Sequence, residues 1–475
     1  MMRRMASTIR FGTDGWRAII GEEFTFENVR ACTQAVAEYI SSTNTHEKLV
    51  VVGYDTRFES DEFAKTVARV LAGNGIAVEI TDRPAPTPAF SFRVVESKAS
   101  GAVIVTSSHN PYQWNGIKIK SRLGGSASPE IVNSIEQRAN DILKNGVKVQ
   151  IAPLNSDLIT KFNPLEGYLA HLKTQIDLPR IQSSGLHLAV DSMYGTGSGL
   201  LQEILDGKSL VIDEIHSEVN PRFPGIRAPE PVEENLQELI KLTTTKPYSI
   251  GLANDGDADR LGIVDPTTGY LDSLGTFAIL VNYLLAEKNL TGAVIKSITT
   301  TNMVKLLAEK YGSPCYETPV GFKYIGPTMV EHDALIGGEE SGGYGFRGHI
   351  PERDGILAAL YLIEAIVTTG KEPHTLLEDV YSLVGTHFYE RIDIEITEEQ
   401  RPKIQERLKT FDKNEIAGEQ IQAIDTRDGW RFLLKDGWLL FRISGTEPLL
   451  RIYTELKEKE KITRILESSR KLIEL

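Results

Sequence analysis

Between two apolar runs, SIGLA at 249–253 and LGIVD at 261–265, the chain reads NDGDADR. Asp255, Asp257 and Asp259 set three carboxylates within five residues, and such a cluster repels itself unless a cation neutralises it. The spacing matches the start of an EF-hand calcium loop, yet the sixth position is Arg260 where that loop needs glycine and the twelfth is Pro266 where it needs glutamate. The EF-hand reading fails on both. Three protein oxygens with room left for water and a substrate oxygen describe how magnesium is usually held at phosphoryl-transfer sites.

Two further loops carry complementary chemistry. RISGTEPLLR supplies Arg442, Ser444, Gly445, Thr446 and Arg451 around a turn after a strand-like run. Guanidinium groups fork onto phosphate while hydroxyls and free backbone N–H groups add single bonds, so the set suits a dianion. GGEESGGYGF, residues 337–346, joins five glycines to Glu339, Glu340 and Ser341. Carboxylates and a hydroxyl on such backbone suit the vicinal hydroxyls of a sugar, although a glycine-rich turn needs no ligand to exist.

A fourth stretch, TSSHNPYQWNGIKIK at 106–120, follows the continuous apolar run GAVIV at 101–105. That run predicts a strand buried on both faces, which puts Ser107 and Ser108 at its end. Asn110-Pro111 then forces a turn, because the residue before proline is pushed out of the helical region. A hydroxyl at a rigid strand end beside an imidazole is how a nucleophile is presented, and it is also an ordinary polar turn. Three other glycine-bearing stretches lack what their motifs require. SMYGTGSGLL has Leu200 where a dinucleotide fingerprint needs its third glycine, DGKS is preceded by Gln202 where a P-loop needs its first, and no GxSxG elbow surrounds Ser341 or Ser198.

The elements that position these loops alternate. A helical pattern (ENVRACTQAVAEYI), a strand (KLVVVGYD), a second helix (DEFAKTVARVLAGNG) and a strand (IAVEIT) alternate from Phe26 to Ile80, the signature of an α/β unit with a mainly parallel sheet. Val29, Ala31, Cys32, Val36, Tyr39 and Ile40 fall near helical spacing and form a core-facing stripe. The theme restarts at LHLAVDSMYGTG near 186 and at GAVIKSITTTNMVKLLAEKYG near 292. The last ninety residues differ: ERIDIEI reads as a strand, and WRFLLKDGWLLFRIS as a hairpin turning on Asp436-Gly437 with positive φ at both. ELKEKEKITRILESSRKLIEL reads as a charged amphipathic helix with a solvated face. The expected divisions are 1–160, 161–270 and 271–385, each α/β, and 386–475, α+β.

At 475 residues the chain exceeds a single core. Its 41% hydrophobic and 25% charged content is that of a soluble globular protein, without an apolar run of membrane-spanning length. MMRRMASTIRFGTDG has no apolar segment before Gly12, so no secretory signal is expected. A net charge of −13 argues against sequence-independent nucleic-acid binding, which needs clustered Lys and Arg. Cys32 and Cys315 form no framework and no CxxC pair, which points to a reducing cytoplasm. No feature specifies an oligomeric state.

Taken together and in order, TSSHNPYQWNGIK, DGDADR, GEESGG and RISGTEP resemble the α-D-phosphohexomutase superfamily, and FGTDGWR at 11–17 matches its N-terminal signature. The resemblance spans nearly the whole chain. It implies three related α/β domains and a C-terminal domain of different fold around one central cleft. It makes Ser108 the phosphoryl carrier, since it directly precedes His-Asn-Pro. It makes Asp255, Asp257 and Asp259 the magnesium ligands, with an oxygen on Ser108 completing the site. Lys118 and Arg17 would neutralise charge near the transferring phosphate, supported by His109 and Arg260. Glu339 and Ser341 would bind sugar hydroxyls, Arg442, Ser444, Gly445, Thr446 and Arg451 the non-reacting phosphate, and Lys323 and Arg353 would be further cleft residues. Ser107 departs from the family, where many members have alanine. The implied substrates are hexose phosphates, with glucose 1,6-bisphosphate as intermediate and activator. GEESGG and HIPERDG resemble the glucose-preferring members, so interconversion of glucose 1-phosphate and glucose 6-phosphate is expected, with a bisphosphate synthase or a phosphomannomutase as alternatives.

Overall fold

The computed structural model describes residues 8–43, 48–207, 209–445 and 448–473. Among them the backbone forms four sheets in chain order. The first holds β1 (Trp16–Ile19), β2 (Leu49–Tyr54), β3 (Ala77–Thr81), β4 (Gly101–Val105), β5 (Trp114–Ser121) and β6 (Ile159–Phe162) in the order β1-β5-β4-β2-β3-β6. β2 lies parallel to β3 and β4, and β3 parallel to β6, whereas β5 returns antiparallel to β4 and β1. The second holds β7 (His187–Asp191), β8 (Val211–Ile215), β9 (Ile250–Asn254), β10 (Leu261–Asp265) and β11 (Gly269–Leu271) in the order β11-β10-β9-β7-β8. The third holds β12 (Val294–Ser297), β13 (Cys315–Thr318), β14 (Ile336–Gly338) and β15 (Tyr344–Phe346) in the order β13-β12-β14-β15. The fourth holds β16 (Phe388–Glu395), β17 (Glu415–Ile416), β18 (Glu419–Asp425), β19 (Trp430–Leu434), β20 (Gly437–Ile443) and β21 (Leu449–Leu456), ordered β16-β21-β20-β19-β18-β17 and antiparallel throughout. Three α/β units and a C-terminal α+β unit are thus present. β6 lies across the expected 160/161 division and pairs with the first sheet.

Local sequence explains these choices. Every residue of β4 is buried, as a strand covered on both faces requires. The helix Phe26–Ser42 begins where the Thr25 hydroxyl accepts from the Asn28 N–H, and it buries Val29, Ala31, Cys32, Val36 and Ile40. The second sheet is less parallel than the pattern suggests: β7 lies parallel to β8 and β9, but β10 is antiparallel to both β9 and β11. Only residues 255–260 separate β9 from β10, too few for a crossover, so the acidic loop is the tip of a hairpin.

The C-terminal unit corrects two details. In the hairpin β19–β20, Leu434 pairs with Gly437, so the turn is Lys435-Asp436, and neither Asp436 nor Gly437 has positive φ. Gly437 is required for close approach instead: a Cβ there would stand 1.8 Å from the Glu455 carbonyl oxygen of β21. The segment ELKEKEK also begins as strand, with the final helix confined to Lys459–Ile473. Glu455 and Leu456 are held in β21 because Glu455 is buried, accepting from Trp438 Nε1 at 2.9 Å and from the Asn302 N–H at 2.8 Å. The helix itself buries Ile462, Ile465, Leu466 and Ile473 against the sheet and is solvated on its other side only.

Burial also joins the units. The helix Gly355–Thr369 is buried from Gly355 to Ile366, apolar there but for Glu364, and rests on strands of both the second and third sheets. Its cap Asp354 accepts from the Leu357 N–H at 2.9 Å and from the Tyr168 hydroxyl at 2.9 Å, which fixes the residue before it, Arg353, against the second unit. The third and fourth units meet at Glu317, which accepts from Lys296 at 2.8 Å and from Arg431 at 2.7 and 3.0 Å. No helix among the described residues is long and apolar enough to cross a membrane.

Two outcomes follow from these contacts. Gly437→Ala should destabilise the C-terminal unit by roughly 3 kcal/mol, because the clash is with backbone, and calorimetry should show that unit melting first. At the end of β7 the buried Asp191 lies 2.9 Å from His216 Nδ1, and this hydrogen bond raises the His216 pKa above its ordinary value. A raised folded pKa contributes stability that is full below the unfolded value near ~6.5 and is lost as pH rises through the folded one. His216→Gln should therefore cost about 1–2 kcal/mol in urea unfolding at acidic pH, and less at alkaline pH. Equal costs at both would count against the charged pair.

Candidate active site

The β4–β5 loop holds Ser108 at φ +50°, in the left-handed region that a serine normally avoids. Arg57, buried after β2, enforces that conformation. Its guanidinium donates to the carbonyls of Ser108 (2.6 Å), Asn110 (2.6 Å), Pro111 (3.0 Å) and Trp114 (3.1 Å). The Ser108 N–H donates to Thr106 Oγ1 at 2.9 Å, and the Ser108 hydroxyl donates to Asp255 Oδ2 at 2.7 Å. Ser107, by contrast, is buried with a hydroxyl that finds no partner among the described residues. Of the two serines, only Ser108 presents its oxygen to the acidic loop.

His109 and Arg17 flank that oxygen. Arg17 Nη1 approaches His109 Nε2 at 3.5 Å and donates to Asn110 Oδ1 at 2.7 Å. Since arginine only donates, Nε2 is the accepting nitrogen and Nδ1, 3.3 Å from Ser108 Oγ, carries the proton. Burial, then the charges of Arg260, Arg17, Lys118 and Arg57, hold the His109 pKa well below its ordinary value, so the imidazole is neutral. Arg260 donates to Glu230 at 3.0 Å and lies 3.9 Å from Asp255 and 4.0 Å from Asp259.

The three aspartates are buried, and one carboxylate oxygen from each lies within 4.8 Å of the other two. Asp255 Oδ1 accepts from the N–H groups of Asp259 (3.0 Å) and Arg260 (3.1 Å). Burial, then repulsion from Asp259 and Asp257, pushes the Asp255 pKa well above the carboxylate range. Burial would raise Asp257 as well, but Lys118 at 2.8 Å and the Thr87 hydroxyl at 2.5 Å outweigh it and bring it below its ordinary value. Asp257 Oδ1 and Asp259 Oδ1 are buried oxygens without a hydrogen-bond partner among the described residues. Clustered hard oxygens with unsatisfied lone pairs fit a small divalent cation such as magnesium, and the Ser108 oxygen stands beside the same set.

A ring of alternating charge abuts these aspartates. Lys118 Nζ, buried on β5, donates to Asp14 Oδ2 (2.9 Å), Asp257 Oδ2 (2.8 Å) and Asp259 Oδ2 (2.8 Å). Arg353 Nη2 donates to both Asp14 Oδ2 and Asp259 Oδ2, the latter at 2.9 Å, and Nη1 donates to Glu339 Oε1 at 2.8 Å. Ser341 donates to the same Glu339 oxygen at 2.9 Å. Burial raises the Glu339 pKa, although Arg353 opposes it. Glu339 and Ser341 thus join the aspartate cluster through Arg353.

The remaining expected residues stand further out. Lys323 lies half-buried near the start of the helix Phe322–Glu331, on a cavity of about 110 Å³ that Asp14 also lines. Burial, then Arg442, lowers its pKa. Arg442 donates to Asp428 at 3.0 Å, Arg451 lies 3.6 Å from Asp393, and the Ser444 carbonyl accepts from Arg401 at 2.9 Å. The Gly445 carbonyl accepts from Arg10 at 2.6 Å, so the turn after β20 touches the first unit. Thr446 lies outside the described residues.

Three participants escape a motif reading. Asp14 lies inside FGTDGWR, where only Arg17 carries an expected role. Arg57 follows a buried strand just as Ser108 does, and that shared placement was the available signal. Lys120, without an expected role, is buried and paired with Glu352 at 2.6 Å, a partner 232 positions away.

Comparison with known proteins agrees with this architecture. Residues 8–146, 166–269 and 273–384 match models described as phosphoglucomutase/phosphomannomutase alpha/beta/alpha domains I, II and III, and residues 394–472 match the C-terminal domain of the same family. The chain is 30% identical to a phosphoglucomutase/phosphomannomutase of Thermococcus kodakarensis, covering 98% of each. It is 29% identical to a phosphoglucosamine/phosphogalactosamine mutase of Sulfurisphaera tokodaii, covering 98% of this chain and 99% of that one. The crystal structure of a putative phosphomannomutase from Thermus thermophilus superposes with a TM-score of 0.84 at 34% identity, over 99% of this chain and 100% of that one. Fold and site define a phosphohexomutase, an isomerase of hexose phosphates. The chain belongs to the phosphoglucomutase/phosphomannomutase family.

The cation site can be tested without turnover. Asp257→Asn should weaken magnesium binding at least about tenfold in calorimetric titration, with the fold retained by circular dichroism. Unchanged affinity would exclude Asp257 as a ligand.

Proposed function

We propose that this phosphohexomutase interconverts glucose 1-phosphate and glucose 6-phosphate through a phosphorylated Ser108 and glucose 1,6-bisphosphate. The observation that carries the reading is the bridge from Ser108 through Asp255 and Asp259 to Arg353 and Glu339, which sets a phosphoryl carrier and a sugar-binding carboxylate in one cluster. The glucose preference rests on GEESGG and HIPERDG, which resemble the loops of glucose-preferring members.

Phosphoryl transfer has a loose transition state, so catalysis is mainly positioning and charge stabilisation. Lys118, Arg17 and Arg260 surround the transferring group with fixed positive charge. Asp255, Asp257 and Asp259 would hold magnesium, which would supply further charge neutralisation. Glu339 and Ser341 take sugar hydroxyls, with Lys323 and Arg353 as further cleft contacts. Arg442, Ser444, Gly445, Thr446 and Arg451 hold the phosphate that is not reacting. The bisphosphate turns over within the cleft and returns its other phosphate to Ser108, so one clamp serves both phosphates. Two unpaired cysteines fit a cytoplasmic setting.

A second reading, action on an amino sugar phosphate, draws on the Sulfurisphaera tokodaii relative. One experiment separates the readings. Purified protein and magnesium are incubated with glucose, mannose or glucosamine 1-phosphate, with and without fructose 1,6-bisphosphate, and 6-phosphates and bisphosphates are quantified. Fastest conversion of the glucose ester without net bisphosphate is expected. Faster turnover of another sugar would refute the glucose preference, and accumulating bisphosphate would identify a synthase. Ser108→Ala should lower turnover by roughly 10³-fold or more and remove the phosphate from the peptide spanning 106–120 in mass spectrometry.

A further inference from the structure

Asp14 stands apart from the three aspartates of the acidic loop yet shares both of their cations. Its Oδ2 accepts from Lys118 Nζ at 2.9 Å and from Arg353 Nη2, while Asp259 Oδ2 accepts from the same two groups at 2.8 and 2.9 Å. Lys118, Asp14, Arg353 and Asp259 therefore close a four-membered ring drawn from three units. All four side chains are 14% exposed or less, and Asp14 is the outermost.

The backbone is built to keep Asp14 there. Gly15 has φ +96°, and a Cβ on it would stand 2.5 Å from the Ile117 carbonyl, so the loop Gly12–Gly15 lies flat on β5 beside Lys118. A second row supports the other carboxylate oxygen. Ser126 Oγ lies 3.4 Å from Asp14 Oδ1 and donates to Glu352 Oε2 at 2.6 Å, and Glu352 is paired with Lys120. Burial would raise the Asp14 pKa, but Lys118, Arg353 and Lys120 together hold it well below the carboxylate range, so it is charged.

We propose that Asp14 is a positioning residue that holds the Lys118 ammonium and the Arg353 guanidinium in register, and through Arg353 couples the sugar loop at Glu339 to the phosphoryl-transfer centre. This rests on the roles given above to Lys118 and Glu339. Asp259 belongs to the set that fits a divalent cation, and Asp14 does not. Asp14 is thus the anion that keeps the two cations paired independently of that set. Without its charge, Lys118 and Arg353 face each other across one shared carboxylate, and their mutual repulsion pushes the Arg353 guanidinium, and the Glu339 carboxylate paired with it, out of register.

The test uses the full chain and the isosteric variant Asp14→Asn, with Asp14→Ala as its larger counterpart. Hydrogen–deuterium exchange without any sugar reads the latch directly. Peptides covering 339–354 should exchange about tenfold faster in both variants, with peptides of the helices Phe26–Ser42 and Ser60–Gly73 unchanged. In steady-state assays kcat should fall about 10²-fold and KM should rise with it, because Glu339 shifts with Arg353. Unchanged exchange at 339–354, or accelerated exchange spread over the whole first unit, would overturn the proposal, the second by showing a merely structural role. If the unmodified protein converts none of the sugar phosphates, the functional reading fails while the exchange comparison still decides the role of Asp14.

Discussion

Dry charge is the constraint on which this molecule depends. Lys118, Asp257, Asp259 and Arg353 are buried, and an unpaired charge in such a place costs several kcal/mol. Their pairing works only when the first three units are docked, because Lys118 and Asp14 come from the first, Asp257 and Asp259 from the second and Arg353 from the third. A buried ion cluster is weak evidence for stability, since hydrophobic replacement often does as well. It is a strong determinant of geometry. The units meet at one arrangement because few others pair all of these buried charges at once.

The sheets deliver these charges in a common way. Arg57 follows β2, Ser108 follows β4, Asp255 follows β9, Thr299 follows β12 and Glu339 follows β14. Each strand is buried and stiff, and the first residues beyond its carboxyl end inherit that rigidity while facing the crevice between units. Thr299 shows the pattern carried into support: its hydroxyl donates to Glu340 at 2.7 Å and steadies the β14–β15 loop from behind. The fourth sheet, antiparallel throughout, brings its loop from elsewhere, and Arg10 meets it at Gly445.

Much of this was legible in the sequence, for identifiable reasons. Continuous apolar runs such as GAVIV and alternating helical stripes report burial directly, so the α/β repetition and the strand-end placement of Ser108 could be read. Three aspartates on one short loop report their own repulsion. What could not be read were partners far apart in the chain. Lys120 looked idle because Glu352 is 232 positions away, and Asp14 was hidden because its two cations come from β5 and the third unit. Local turn rules failed at Asp436-Gly437 because the decisive contact is the neighbouring strand, where Glu455 leaves no room for a Cβ. Glu455 itself read as helix because its charge suggested solvent, whereas Trp438 and the Asn302 N–H absorb it inside.

The ring also sets a timetable for the chain's own making. Asp14 and Lys118 leave the ribosome long before Arg353 is synthesised, so the first unit must fold with these charges in water. Units that emerge in sequence fold largely in sequence. Their final docking then waits on residues three-quarters of the way along, Arg353 and the apolar helix Gly355–Thr369 that follows it, so charge and apolar surface are buried together. A nascent chain halted before Arg353 would carry a finished first sheet whose Asp14 still lacks its cation from the third unit.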